Sequence, residues 1–252
     1  LEQVTLFGFP LWHAAILFAR IGAILTVLPG FSEPSVPPRI RLTFALVIAT
    51  ILAPALADVL PAAPKALDAA VGLIISEVLI GLMIGIIARI LFASLATAGQ
   101  IIGAETGLSF AQINDPTMTQ AGQIIGVFLG LMGATLIFAT GLHHEFIKGF
   151  VASYTVFKPG VALPIPDATQ WAVEAVGQST LIGVQIAAPM MMVGLVFRAG
   201  LGVLSRLAPQ IQVFFVSQPL ALLGGYMILA LTLSVGMLIL IDRMDQFAAN
   251  LR

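Results

Sequence analysis

The sequence predicts an all-α membrane protein of about six apolar helical segments, with interrupted helices and helical hairpins. Three observations carry that expectation. Hydrophobic residues make up 59% of the 252 and charged residues only 9%, with a mean hydropathy of +1.07; soluble domains carry roughly a quarter charged residues. Apolar runs near the ~20 residues that span a bilayer recur along the chain. Glycine (24) and proline (15) are plentiful, as suits close-packed, interrupted membrane helices. The net charge of −1 gives no broad attraction to nucleic acid. With no cysteine, disulfides, thiolate nucleophiles and cysteine metal sites are ruled out.

Taken in order, hydropathy gives six candidate spans: Leu11–Leu28, Phe44–Leu60, Val71–Leu95, Ile124–Leu142, Leu181–Phe197 and Leu220–Ile241. All six are expected to be long enough to cross a bilayer. No basic region precedes the first, which argues against a cleaved signal peptide there, and the leading Leu1 is read as a chain without its natural start. Arg20 interrupts the first span, Glu77 and Arg89 the third, and Pro189 the fifth. Each charge near a bilayer centre costs about 2.5–3.5 kcal/mol, so these residues are expected to face protein or water.

The first connection, PGFSEPSVPPRIR from Pro29 to Arg41, reads as a stiff exposed turn because proline fixes φ and extends the residue before it. In the third span Glu77, Gly81, Gly85 and Arg89 step by four. Glu77 and Arg89 are then some 120° and about 18 Å apart on the helix, too far to pair. Adjacent His143 and His144 diverge by about 100°, poor geometry for one metal, and none is expected. Asp167 is placed as the cap of a new helix, with Gln170 at the capping-box position and Trp171 as an interfacial anchor. That boundary divides the chain into residues 1–166 and a C-terminal helical hairpin, 167–252. The hairpin is expected to turn within Arg198–Gln212, where Gly200 and Gly202 loosen the helix and Pro209 ends it.

The stretch that sets this chain apart is GQIIGAETGLSFAQINDP, from Gly99 to Pro116. Glycines at 99, 103 and 107 precede a break, and glycines at 122, 126 and 130 follow it. Four-residue glycine spacing lets neighbouring backbones approach closely. Subunit packing is therefore assigned to Gly81, Gly85, Gly99, Gly103, Gly122, Gly126 and Gly130, together with Glu77 and Arg89. Irregular backbone at membrane depth is tolerated only inside protein or against a watery passage. A plain connection between helices is the alternative.

No enzyme motif is present, so no catalytic residue, cofactor or metal is assigned. Glu77 and Glu105 could relay protons in a small-solute or proton-coupled transporter. They could equally hydrogen-bond across helix interfaces. Lysine and arginine divide five against five between the two sides of a six-span arrangement, which leaves orientation open and suggests that some segments never span.

Three features stand in register: the connection ending VPPRIR, the break GAETGLSFAQINDP, and the segment GLGVLSRLAPQIQVFFVSQP. Together they resemble the R-subunit family of the bacterial flagellar type III export gate, related to the T subunits of injectisomes, over essentially the whole chain. The resemblance implies a scaffold rather than a catalyst. It builds a funnel-like channel with P and Q subunits, alongside further export-apparatus membrane proteins, and contacts unfolded export substrates transiently. The location implied is the bacterial inner membrane at the flagellar basal body, partly above the membrane plane. Residues 1–166 then correspond to a P-like part and 167–252 to a Q-like hairpin. The family's mid-chain plug falls on Gly107–Pro116. There Gly107 supplies backbone freedom, Leu108, Phe110 and Ile113 apolar bulk, and Asp115 and Pro116 the far end. The hairpin places Arg198, Arg206, Pro209 and Gln210 toward the cytoplasmic mouth.

Overall fold

The computed structural model describes residues 5–6, 9–107, 124–161, 165–208 and 213–251. Among them a two-residue strand β1 (Thr5–Leu6) pairs antiparallel with β2 (Phe9–Pro10), and eight helices follow. These are α1 (Leu11–Val27), α2 (Pro38–Leu52), α3 (Leu67–Phe92), α4 (Ser94–Glu105), α5 (Ile124–Ala139), α6 (Leu142–Val156), α7 (Ile165–Leu207) and α8 (Val213–Asn250). The all-α expectation holds.

Proline and glycine set most of the boundaries. α1 starts directly after Pro10 and stops before the Pro29–Gly30 turn, where Gly30 takes φ 84°. Pro38 opens α2 at a position where a missing N–H costs nothing. Pro54 follows the C-cap residue Ala53 and cannot extend the helix. α2 therefore ends at Leu52, and the expected span Phe44–Leu60 is corrected: residues 53–60 are turns and bends. The proline-rich connection before it is fastened by Arg41, whose Nε donates to the Phe31 carbonyl at 2.9 Å. Gly141, at φ 78°, separates α5 from α6 and bends the chain sharply.

The expectation of six full-length spans is also corrected. Three helical stretches are long and apolar enough to cross a membrane, Leu67–Glu105, Ala168–Leu207 and Ser217–Asn250, and the bent α5–α6 pair makes a fourth if counted as one. α1 has 17 residues and α2 has 15. Prolines and the turns around them shorten both. In the other direction, α7 runs unbroken through Pro189, Gly200 and Gly202 to Leu207. Helix therefore covers Arg198–Leu207 of the stretch expected to hold the turn; Pro209 and Gln210 lie outside the described residues. α7 begins at Ile165, two residues before the expected cap, so Asp167 falls inside its first turn. Gln170 Nε2 bonds Glu174 at 2.9 Å rather than closing a capping box.

The chain divides into two compact units. The first comprises Leu1–Leu91, Ile137–Ala175 and Met244–Arg252. Its core is a dense set of fully buried side chains on α1 (Ile16, Leu17, Ile21, Ile24), α3 (Ile80, Ile84, Ala88) and α6 (Phe146, Phe150, Tyr154). The second comprises Phe92–Leu136 and Val176–Arg243, with α4, most of α5 and the long central parts of α7 and α8. Leu95, Ala98, Ile102, Leu129, Ile182, Ala187, Met237 and Leu240 form its core. α7 and α8 run antiparallel there: Gly236 faces Ile186, and Gly225 faces Met190.

Candidate functional site

Charge buried in the first unit is organised by glycine. On α3, a Cβ at Gly81 would strike the Arg20 carbonyl, and one at Gly85 would stand 3.0 Å from the Ile24 carbonyl. The two bare positions let α3 lie directly on α1. Glu77, one turn before Gly81, thereby reaches Arg20. The guanidinium donates from Nε to Glu77 Oε2 at 2.7 Å and from Nη2 to Glu77 Oε1 at 3.0 Å, a bidentate pair with both residues fully buried. Its remaining N–H groups serve α6: Nη1 reaches the Ser153 carbonyl at 3.1 Å and its Oγ at 3.2 Å, and Nη2 reaches the Phe157 carbonyl at 2.8 Å. All five donors of an arginine are thus matched. The Tyr154 ring lies 3.9 Å from the guanidinium carbon, a buried cation–π contact.

The sequence marks Arg20 and Glu77 as charges that need partners; the structure makes them each other's. Opposite sign in two apolar spans was the available signal. Arg89, also on α3, is exposed and bonds Ser32 Oγ at 2.8 Å, fastening the first connection.

In the second unit the glycine stripe around the break also closes contacts within the chain. A Cβ at Gly99 would collide with the backbone of Gly126, and one at Gly126 would stand 3.4 Å from Ala96 Cα. α4 and α5 therefore cross at these two glycines. Gly103 is buried on the same helix. Gly130 has open space where a side chain would go, beside exposed Val127 and Leu131. Gly122 lies outside the described residues.

The three residues that close the described stretch 9–107 are held by α7 and α8. Glu105, at the end of α4, lies against Gly194 and pairs with Arg198 Nη2 at 3.0 Å. That contact is ionic rather than an aligned hydrogen bond. Thr106 fills the space in front of Gly225, and its Oγ1 returns to the Ile102 carbonyl at 2.9 Å. Gly107 turns at φ 80°, and its carbonyl accepts from Gln218 Nε2 at 3.2 Å. Sequence reasoning missed Gly194 and Gln218, because nothing local links them to residues about a hundred positions away. Leu108, Phe110, Ile113, Asp115 and Pro116 lie outside the described residues. Arg206 is exposed in the last turn of α7. Among the described residues no three His, Asp or Glu side chains gather as a metal site.

This arrangement defines a class: an α-helical membrane protein in which buried charge and bare glycine faces fasten helices together. Residues 11–247 match the family described as bacterial export proteins, family 1, and the chain belongs to that family. It is similar to the flagellar biosynthetic protein FliR of Caulobacter vibrioides, 44% identical over 94% of each chain. The FliR proteins of Pectobacterium carotovorum (33% identical, covering 86% of this chain and 82% of that one) and Escherichia coli (30%, covering 84% and 80%) are further relatives. The resemblance read from the sequence is therefore a FliR-like one over nearly the whole chain.

Proposed function

We propose that this chain is a structural subunit of the flagellar protein-export gate in the bacterial inner membrane, at the flagellar basal body. The observation that carries the reading is kinship over nearly the whole chain with FliR proteins. In this reading the chain builds the channel with P and Q subunits and meets unfolded export substrates in transit. Residues 1–166 act as the P-like part and 167–252 as the Q-like hairpin, a division that the two long antiparallel helices α7 and α8 support. Gly107–Pro116 plugs the closed pore, with Phe110 as its apolar centre; a hydrophobic constriction blocks water and ions by dewetting. Arg198, Arg206, Pro209 and Gln210 belong to the hairpin at the cytoplasmic mouth.

Physical arguments favour a scaffold over a proton-coupled transporter. A relay carboxylate must exchange protons with water, whereas Glu77 is fully buried and held bidentately by Arg20. The open apolar faces speak for partners: Met192, Leu195 and Val196 on α7 and Leu223 and Leu231 on α8 are each about 70% exposed. Patches of that kind mark interaction surfaces or lipid contact. Co-expression with the P and Q subunits tests the reading. The expected outcome is one detergent-stable complex containing all three, and a chain that aggregates when expressed alone. A chain that is monodisperse alone and never joins P and Q contradicts it.

A further inference from the structure

We propose that Glu105 is a positioning residue that moors the start of the proposed plug segment to helix α7. The inference relies on the plug reading for its consequence, but its geometry stands on described contacts alone. Gly194 and Arg198 lie four residues apart on α7, so one helix face offers a bare backbone and, one turn on, a cation. The Glu105 carboxylate occupies that seat: a Cβ at Gly194 would collide with Oε2, and Arg198 Nη2 stands 3.0 Å from the same atom. A side chain at 194 would exclude the carboxylate, whatever happened to the arginine.

The pair differs in kind from the buried one. Arg20 and Glu77 are wholly enclosed and hydrogen-bonded throughout, and they tie three helices together. The Arg198 side chain is 58% exposed, and exposed pairs add little to stability. What the Glu105 contact fixes is place: the point on α7 from which the chain departs toward residue 108. The next two residues are fixed on α8, Thr106 against Gly225 and Gly107 under the Gln218 amide. Both α7 and α8 thus hold residues 105–107, from which the proposed plug segment begins.

The chain has no cysteine, which makes a covalent test clean. Glu105 Cβ lies 3.8 Å from where a Cβ at Gly194 would stand, inside the ~3.5–4.5 Å range that disulfides need. Glu105→Cys with Gly194→Cys, made in the assembled gate, removes the carboxylate and offers a bond in its place. Oxidation joins the two thiols with loss of two protons and two electrons to an added oxidant such as copper phenanthroline. The expected result is an ion leak across the inner membrane in the reduced gate that disappears on oxidation. Failure of the disulfide to form in the assembled gate overturns the mooring. So does a leak that is identical before and after it forms. A gate shortened within 108–116, run in parallel, separates the two claims. If that gate stays tight, the plug reading fails and the disulfide yield alone decides the mooring. Should the cysteine pair not assemble, charge reversal decides it: Glu105→Arg and Arg198→Glu are each expected to leak and together to restore tightness. A leak in either single variant that persists in the double variant counts against the proposal.

Discussion

Arg20 spends all five of its N–H donors inside the first unit, on Glu77, Ser153 and Phe157. Removing Glu77 alone therefore strands a fully buried cation, which costs about 3–5 kcal/mol in comparable cases. Glu77→Leu is expected to lower the thermal unfolding midpoint of the detergent-solubilised gate clearly. Arg20→Met added to Glu77→Leu should recover most of that loss, since replacing both members of a buried pair with apolar groups is often neutral. A double variant no more stable than Glu77→Leu would mean that the pair is not the unit of stability. At this scale the sequence was legible only in part. That Arg20 and Glu77 needed partners followed from the cost of charge among apolar residues. That they partner each other did not, because 57 residues separate them and helix pattern carries no information on which spans touch.

The glycine stripes work at the scale of whole helices, by letting α3 lie on α1 and α4 on α5. Gly99→Ala would press a methyl group into the Gly126 backbone, and overpacking of this sort costs about 1–3 kcal/mol. Gly130→Ala meets open space within the chain and is expected to leave its stability within about 0.5 kcal/mol. Comparing the two variants by thermal unfolding in detergent checks the assignment, and equal losses would contradict it. Gly130 then serves as the probe for partners, since Gly130→Leu should reduce recovery of P and Q only if that face packs against them. Four-residue spacing revealed these faces in the sequence, but periodicity names a face and not its neighbour. Helix ends were read well at α1, expected over Leu11–Leu28 and observed over Leu11–Val27, between Pro10 and the Pro29–Gly30 turn. They were misread at α2, which opens at Pro38 rather than Phe44 and stops before Pro54 although hydropathy continues, and at α7, which runs on through Gly200 and Gly202 to Leu207.

For the molecule as a whole, length and exposure matter most. α7 has 43 residues and α8 has 38, about twice what a bilayer crossing requires. Such helices are longer than the hydrocarbon layer, which supports a subunit standing partly above the membrane plane. Their exposed leucines, valines and methionines mark faces for lipid or protein neighbours along that length. The fold class was legible in composition, and the family in three motifs in register. The plug rests on position in the sequence, on the tethered residues Glu105, Thr106 and Gly107 that lead into it, and on the family resemblance. The most direct test is ion conductance of inner membranes carrying the assembled gate with residues around Phe110 removed. The account predicts a leak with P and Q still recovered in normal amounts. Tight membranes around a normally assembled gate would contradict it.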